Sequence, residues 1–283
     1  MIVVTGATGQ LGRLVIEGLR AKVPADQIVA AVRTPEKAAD LGVQVREADY
    51  GKPATLAAAF AGADQVLLIS SSEVGQRIPQ HTAVVEAAQQ AGVKHLIYTS
   101  APKADDTALV LAPDHAATER IIRASGLPFT FLRNGWYTEN YAQKVQDGVA
   151  RGSFAGSAGQ GAVATATRAD YAAAAVAVLT SDGHDGRVYE LSGDHAWTYA
   201  DLAETIAQAA GKAVTYEDLT PDAHRTALAA AGLPEPVVEL VVGLDRNTAD
   251  GLLGQTSGEL RALIGRPTTP YQDTVAQMVK SLG

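Results

Sequence analysis

Residues 2–12 read IVVTGATGQLG: a β-branched run, then glycines at 6, 9 and 12. The order carries the physics. Gly6 permits a tight turn out of the strand, and Gly9 lets the backbone approach a ligand with no Cβ in the way. Gly12 lets the following helix pack close to the strand. The first N–H groups of that helix lack intrahelical partners, and its dipole is positive at that end, so an anionic diphosphate is the natural occupant.

Outward from this loop the first half of the chain keeps alternating. Strands are predicted at 2–5, 27–32, 43–47, 65–70, 95–99 and 129–132. Helices are predicted between them at 10–22, 35–40, 53–60, 76–91 and 114–125. Short apolar strands separated by helices imply a parallel sheet covered on both faces. Thr34-Pro35 reads as a helix start, and Gly62, Gly92 and Gly126 read as helix stops. After about residue 150 the rhythm changes. A glycine-rich loop, GSFAGSAGQG, covers 152–161, followed by a helix at 168–180 and a strand at 187–192. Helical segments then fall at 199–210, 221–230, 234–241 and 257–264. The expectation is an α/β fold, a Rossmann-type doubly wound parallel sheet with a small C-terminal α/β lobe. Residues 1–150 would form the dinucleotide-binding domain and 151–283 the smaller lobe, interleaved with the main sheet.

Composition narrows the function. The 283 residues are near the upper limit for one compact domain. A net charge of −8 makes a nucleic-acid backbone a poor partner. There is no cysteine, which excludes disulfides, thiolate metal sites and a thiol nucleophile. The six histidines are scattered without metal-ligand spacing, so no metal site is expected. No Gly-x-Ser-x-Gly signal points to a hydrolase. No apolar run reaches membrane-helix length and no signal segment is evident, so a cytoplasmic protein without membrane association is expected. The Ala-rich helices permit a homodimer without requiring one.

The second strand, QIVAAVR, ends at Arg33, about twenty residues beyond the glycine loop. A carboxylate there would accept from a ribose 2′-hydroxyl; a guanidinium offers a fork for a 2′-phosphate instead. NADP(H) is therefore expected over NAD(H). Asp49 either meets the adenine amine or caps the helix starting at Pro53. Ser70-Ser71-Ser72 either lines the ribose–nicotinamide side or caps a helix. The Tyr-x-x-x-Lys pair that serves many carbonyl reductases is missing: none of the nine tyrosines has lysine four positions later. The helix expected to carry it reads PDHAATERIIRASG and offers His115 and Glu119 instead.

Glycines at 6, 9 and 12 resemble the extended or atypical branch of the short-chain dehydrogenases/reductases. With AAVRTPEKA (30–38), the segment from His115 to Gly126, and above all FTFLRNGWYTENY (129–141), the chain resembles the NmrA-like family and its NADPH-dependent quinone-reductase branch. Weaker agreement continues through VYELSGDHAWTYADLAETIA (188–207). The resemblance implies an NADPH site made by Gly6, Thr8, Gly9, Gln10, Leu11 and Arg33, and an acceptor cleft beside Asn134, Gly135, Trp136 and Tyr137. The family also contains non-catalytic members that sense the cofactor's redox state, an alternative function. A further branch uses a lysine where this chain has His115.

A quinone fits the residues present, because hydride transfer to it yields an aromatic product and demands less of a general acid than a ketone does. The site must hold a flat ring against the nicotinamide and polarise one oxygen. Asn134, just beyond the sixth strand, is placed to donate its amide N–H, with Trp136 and Tyr137 as aromatic walls; alternatively Asn134 serves the turn and Trp136 the core. His115 is a proton relay, a ribose contact or a packing residue. Glu119 orients it or sits in solvent. Arg133 ends a strand and more often fixes a loop through carbonyls than touches substrate. The expected function is NADPH-dependent reduction of a quinone or similar conjugated acceptor, azo compounds included.

Overall fold

The computed structural model describes residues 1–71, 73 and 75–283. In the first half the chain runs β1 (Ile2–Thr5), α1 (Gln10–Arg20), β2 (Ile28–Val32), β3 (Gln44–Glu47), α2 (Pro53–Phe60) and β4 (Gln65–Leu68). It continues through α3 (Arg77–Gln90), β5 (His95–Ser100), α4 (Ala112–Ala124) and β6 (Phe129–Asn134). The second half contributes α5 (Ala142–Arg151), β7 (Ser153–Gly156), β8 (Ala162–Val163), α6 (Arg168–Thr180), β9 (Val188–Leu191) and β10 (Trp197–Thr198). It ends with α7 (Tyr199–Ala210), β11 (Thr215–Asp218), α8 (Pro221–Ala230), α9 (Glu235–Ala249), α10 (Glu259–Ile264) and α11 (Tyr271–Ser281).

Seven strands form one parallel sheet in the order β3-β2-β1-β4-β5-β6-β9. Side chains alternate across it. Val4, Ala30, Leu67, Ile97 and Leu132 face α1 and α6, while Val3, Val29, Val66, Leu96 and Phe131 face α2, α3 and α4. Both faces are buried, which is why the strands read as near-continuous apolar runs. After β1 the chain winds outward through β2 and β3, then returns past β1 to β4. The carboxyl ends of β1 and β4 thus flank the switch point at which open α/β sheets hold ligands.

A smaller lobe sits beside β6. There β7 pairs with β11 and β8 with β10, against α5, α7 and α11. Its core is aromatic: Trp197 stacks on Tyr271 at 4.6 Å and meets Tyr141 edge-on at 4.8 Å. No helix among the described residues is long and apolar enough to cross a membrane.

Several expectations are corrected. Pro35–Leu41 is a 3-10 helix, and the Thr34 side chain does not cap it. Helix α4 starts at Ala112, so His115 lies inside its first turn and a half rather than at its start. Strand β6 extends to Asn134, which is its last residue rather than one beyond it. The expected 152–161 loop contains β7, whose parallel partner β11 lies far along the chain. Helices α5 and α11 were not anticipated.

Candidate active site

A cavity of about 790 Å³ runs along the carboxyl ends of β1, β4, β5 and β6 and out to the lobe. Every residue singled out above as a cofactor or acceptor contact lines it: Gly6, Thr8, Gly9, Gln10, Leu11, Arg33, Asp49, Ser70, Ser71, His115, Asn134, Gly135, Trp136 and Tyr137. Ser72 lies outside the described residues.

At the inner end the glycine loop is shaped as its sequence requires. Gly6 has φ +59°, in the left-handed region. A Cβ on Gly12 would come within 2.4 Å of the Gly6 carbonyl oxygen, so only glycine permits this approach of α1 to β1. Helix α1 has Gly9 as N-cap, no side-chain cap and no acid in its first turn. Among the described residues, no acceptor takes the N–H groups of Gln10, Leu11 or Gly12. Bare donors at a helix start, with no Cβ above them, fit a diphosphate.

Arg33 stands at the cavity rim, exposed, with its guanidinium 2.6 Å from Glu73. The Glu73 carboxyl is held below the usual carboxylate range by hydrogen bonds from Gln80 and Arg33. Asp49 does not cap α2, whose N-cap position is Lys52. Its carboxylate accepts instead from the Gly51 N–H at 3.0 Å, in the turn beneath the cavity. Ser71 donates its hydroxyl to Gln80 (2.6 Å) and its N–H to His81 Nε2 (3.0 Å). The Ser70 hydroxyl is buried without a partner among the described residues.

At the far end, Asn134 sits 3.4 Å from the Tyr137 hydroxyl, and its Oδ1 is buried and unpartnered among the described residues. Amide nitrogen and oxygen are near-isosteric, so in either orientation one of them remains available. Tyr137 carries the Arg168 guanidinium over its ring at 4.8 Å and meets Tyr171 edge-on at 5.2 Å. Trp136 is half-buried between the cavity and the lobe core. Tyr141 belongs wholly to that core.

His115 lines the same wall, and its Nδ1 is 2.8 Å from the buried Tyr98 hydroxyl. Burial, with help from Arg77, pulls its pKa down to about 3, so the ring is neutral at ordinary pH. Glu119 neither orients His115 nor faces solvent. It is buried, accepts from Ser100 Oγ at 2.6 Å, and takes two bonds from Arg133 at 2.9 and 2.6 Å. Arg133 is in turn 2.9 Å from both Glu190 and Asp105, so carboxylates rather than loop carbonyls hold it.

Sequence reasoning missed Tyr50, Glu73, Arg77, Leu109, Arg168 and Leu253 in the cavity wall. Glu73 and Arg77 follow β4, so the strand-end rule was signal enough; nothing local marks Arg168 or Leu253. Among the described residues no cluster of potential metal ligands occurs.

Residues 6–182 match the family described as NAD(P)H-binding. The chain is 49% identical over 281 residues to quinone oxidoreductase 2 of Escherichia coli, covering 98% of each chain. The crystal structure of that NADPH-dependent enzyme complexed with NADPH matches at a TM-score of 0.96, over 98% of this chain and 99% of that one. Triphenylmethane reductase of Citrobacter sp., solved with NADP(H), is 41% identical with a TM-score of 0.94, over 98% and 100% of the two chains. The NAD(P)H azoreductase of Xenophilus azovorans is 30% identical over 281 residues, 96% of each chain.

Proposed function

The chain belongs to the NAD(P)H-binding family, and from that premise we propose that it is an NADPH-dependent reductase passing hydride to a quinone or a comparable conjugated acceptor, such as an azo compound. One observation carries the reading. A single cavity joins a diphosphate cradle and a cationic rim to a flat-walled pocket of Asn134, Gly135, Trp136 and Tyr137.

The glycine loop and the start of α1 hold the diphosphate, and Arg33 takes the 2′-phosphate. Asp49 and the Ser70–Ser71 segment border the adenosine and ribose path. The bound dinucleotide supplies a hydride at its nicotinamide ring. The chain's own part is placement and polarisation. Trp136 and Tyr137 confine a planar ring, with the Gly135 backbone as floor. Asn134 and His115 supply the polar groups that meet the oxygen on which charge develops. Asn134 and His115 are themselves buried, which strengthens those contacts. The relatives named above act on a quinone, a triphenylmethane and an azo compound by their names, acceptors that share extended conjugation and match a pocket with flat walls.

The test is NADPH oxidation with a panel of quinones and azo dyes, run beside an NADH control. Saturable turnover with NADPH favoured is the expected result. Tight NADPH binding with no turnover across the panel overturns the reductase reading and points to redox sensing.

A further inference from the structure

Beneath the acceptor pocket lies a chain of polar groups whose hydrogens can be assigned from connectivity. The Ser71 N–H donates to His81 Nε2 at 3.0 Å, so His81 carries its hydrogen on Nδ1. That hydrogen goes to Thr118 Oγ1 at 2.9 Å, and the Thr118 hydroxyl donates to the Asp114 carbonyl at 2.9 Å. His81 is thereby filled and Thr118 has spent its one hydrogen outward, so neither can donate to a group further inward.

Tyr98 sits beside them, fully buried on β5, with His115 Nδ1 2.8 Å from its hydroxyl. If His115 held its hydrogen on Nδ1, the phenol would be the acceptor and its own O–H would need another partner. The Ser70 and Thr118 hydroxyls also face it, but neither closes on it to the 2.8 Å of the His115 contact. A buried phenol left with only those longer contacts for its hydrogen is less well satisfied. The arrangement that satisfies both groups has Tyr98 donating to Nδ1 and His115 bearing its hydrogen on Nε2, the nitrogen without a partner among the described residues in a ring that lines the cavity.

We propose that Tyr98 is a positioning residue that fixes His115 in the Nε2–H form, so that His115 serves as a neutral hydrogen-bond donor to the acceptor's oxygen and not as a proton relay. The idea rests on the reductase reading above. When hydride adds to a quinone, negative charge collects on an oxygen, and the Nε2–H of His115 meets it. The proton stays on His115: releasing it would leave either an imidazolate or, through Nδ1, a buried Tyr98 phenolate. The hydroquinone monoanion takes its proton from solvent, so the acceptor gains one hydride and one proton in all. An acceptor that takes hydride at a cationic carbon, such as a triphenylmethane dye, has no such oxygen and does not need this donor.

Two measurements test the proposal. The first is ¹⁵N NMR of the histidine-labelled, cofactor-free protein. His115 should show a protonated Nε2 and a bare Nδ1 from about pH 5 to about pH 9, and Tyr98→Phe should blur that pattern. An Nδ1–H ring, or a titration in that range, overturns the proposal without reference to any activity. The second is the ratio of kcat with a quinone to kcat with a triphenylmethane dye. It should fall about tenfold in Tyr98→Phe and about a hundredfold in His115→Leu, the scale of a lost oxyanion donor. A parallel fall for both acceptors reduces Tyr98 to packing and overturns the idea. Absence of turnover by the unaltered protein with either acceptor sinks the reductase reading instead, and the NMR result still decides the tautomer.

Discussion

The Arg33 guanidinium rests 2.6 Å from the Glu73 carboxylate, so the cation that meets a 2′-phosphate in our reading already has a partner. A phosphate entering the rim must displace that carboxylate; a bare 2′-hydroxyl need not. Glu73→Gln should therefore tighten NADPH binding about threefold, the modest scale of an exposed pair, and leave NADH binding unchanged. Arg33→Asp should weaken NADPH about tenfold or more and improve NADH. Fluorescence titration with both nucleotides measures the two effects, and equal shifts for the two cofactors would remove this pair from the account of selectivity.

Gly12 touches the Gly6 carbonyl so closely that a Cβ would lie 2.4 Å from its oxygen and 2.7 Å from Ala7 Cα. Both obstructing groups are backbone and cannot swing away. Gly12→Ala should cost about 2 kcal/mol of stability through overpacking, and it should weaken dinucleotide binding further because α1 must back away from the cradle. Urea unfolding and calorimetry separate the two effects. Unchanged affinity in a destabilised variant would mean that the cradle tolerates the shift.

Arg133 and Glu119 form a buried pair behind the pocket. Burial alone would lower the arginine's pKa, but the carboxylates of Glu119, Asp105 and Glu190 outweigh it and push it up. Glu119→Ala removes two of these bonds and the acceptor for Ser100 Oγ, leaving a guanidinium held from one side. The cost should be about 3 kcal/mol, near the lower end for breaking a buried pair because Glu190 and Asp105 remain. NADPH affinity should hardly change, since neither Glu119 nor Arg133 lines the cavity. A loss of binding with intact stability would contradict this purely structural role.

What the sequence revealed and what it concealed follow from the range of the forces involved. The glycine loop, Arg33 and the strand ends are local: each follows from the few residues around it and from the rule that parallel strands present ligands at their carboxyl ends. Asn134 stands at such a strand end, whereas Gly135, Trp136 and Tyr137 were singled out through the family resemblance; all four line the cavity. Glu119 was misread because its partner, Arg133, sits on a neighbouring strand, and helical spacing to His115 says nothing about that. Nothing local marks Tyr98, whose hydroxyl lies 2.8 Å from Nδ1 of His115 on the following helix. In the lobe, β8 and β10 have two residues each, too short for any period, and β7 looked like a glycine-rich loop because its partner β11 comes from a distant stretch.

Burial depresses the pKa of His81 to about 4 and that of His115 to about 3, with Arg77 adding to both. In the unfolded chain each titrates near 6.5. Between those values the unfolded state binds more protons than the folded one, so stability rises with pH there. It is fully present above about pH 6.5 and is lost as pH falls toward the folded values, by about 1 kcal/mol per pH unit for each histidine. His95, His184 and His224 are lowered by burial as well and act in the same direction. Asp64, held at about 2 by Lys94 and the N-terminal amine, contributes stability that is complete above the ordinary aspartate range and is lost only below it, so it adds no slope to this window. Urea unfolding at steps from about pH 7 to about pH 4.5 should show the decline, and His81→Gln should flatten it. A curve level across that range would show that the two rings accept protons in the folded state, and would remove the basis for treating His115 as neutral.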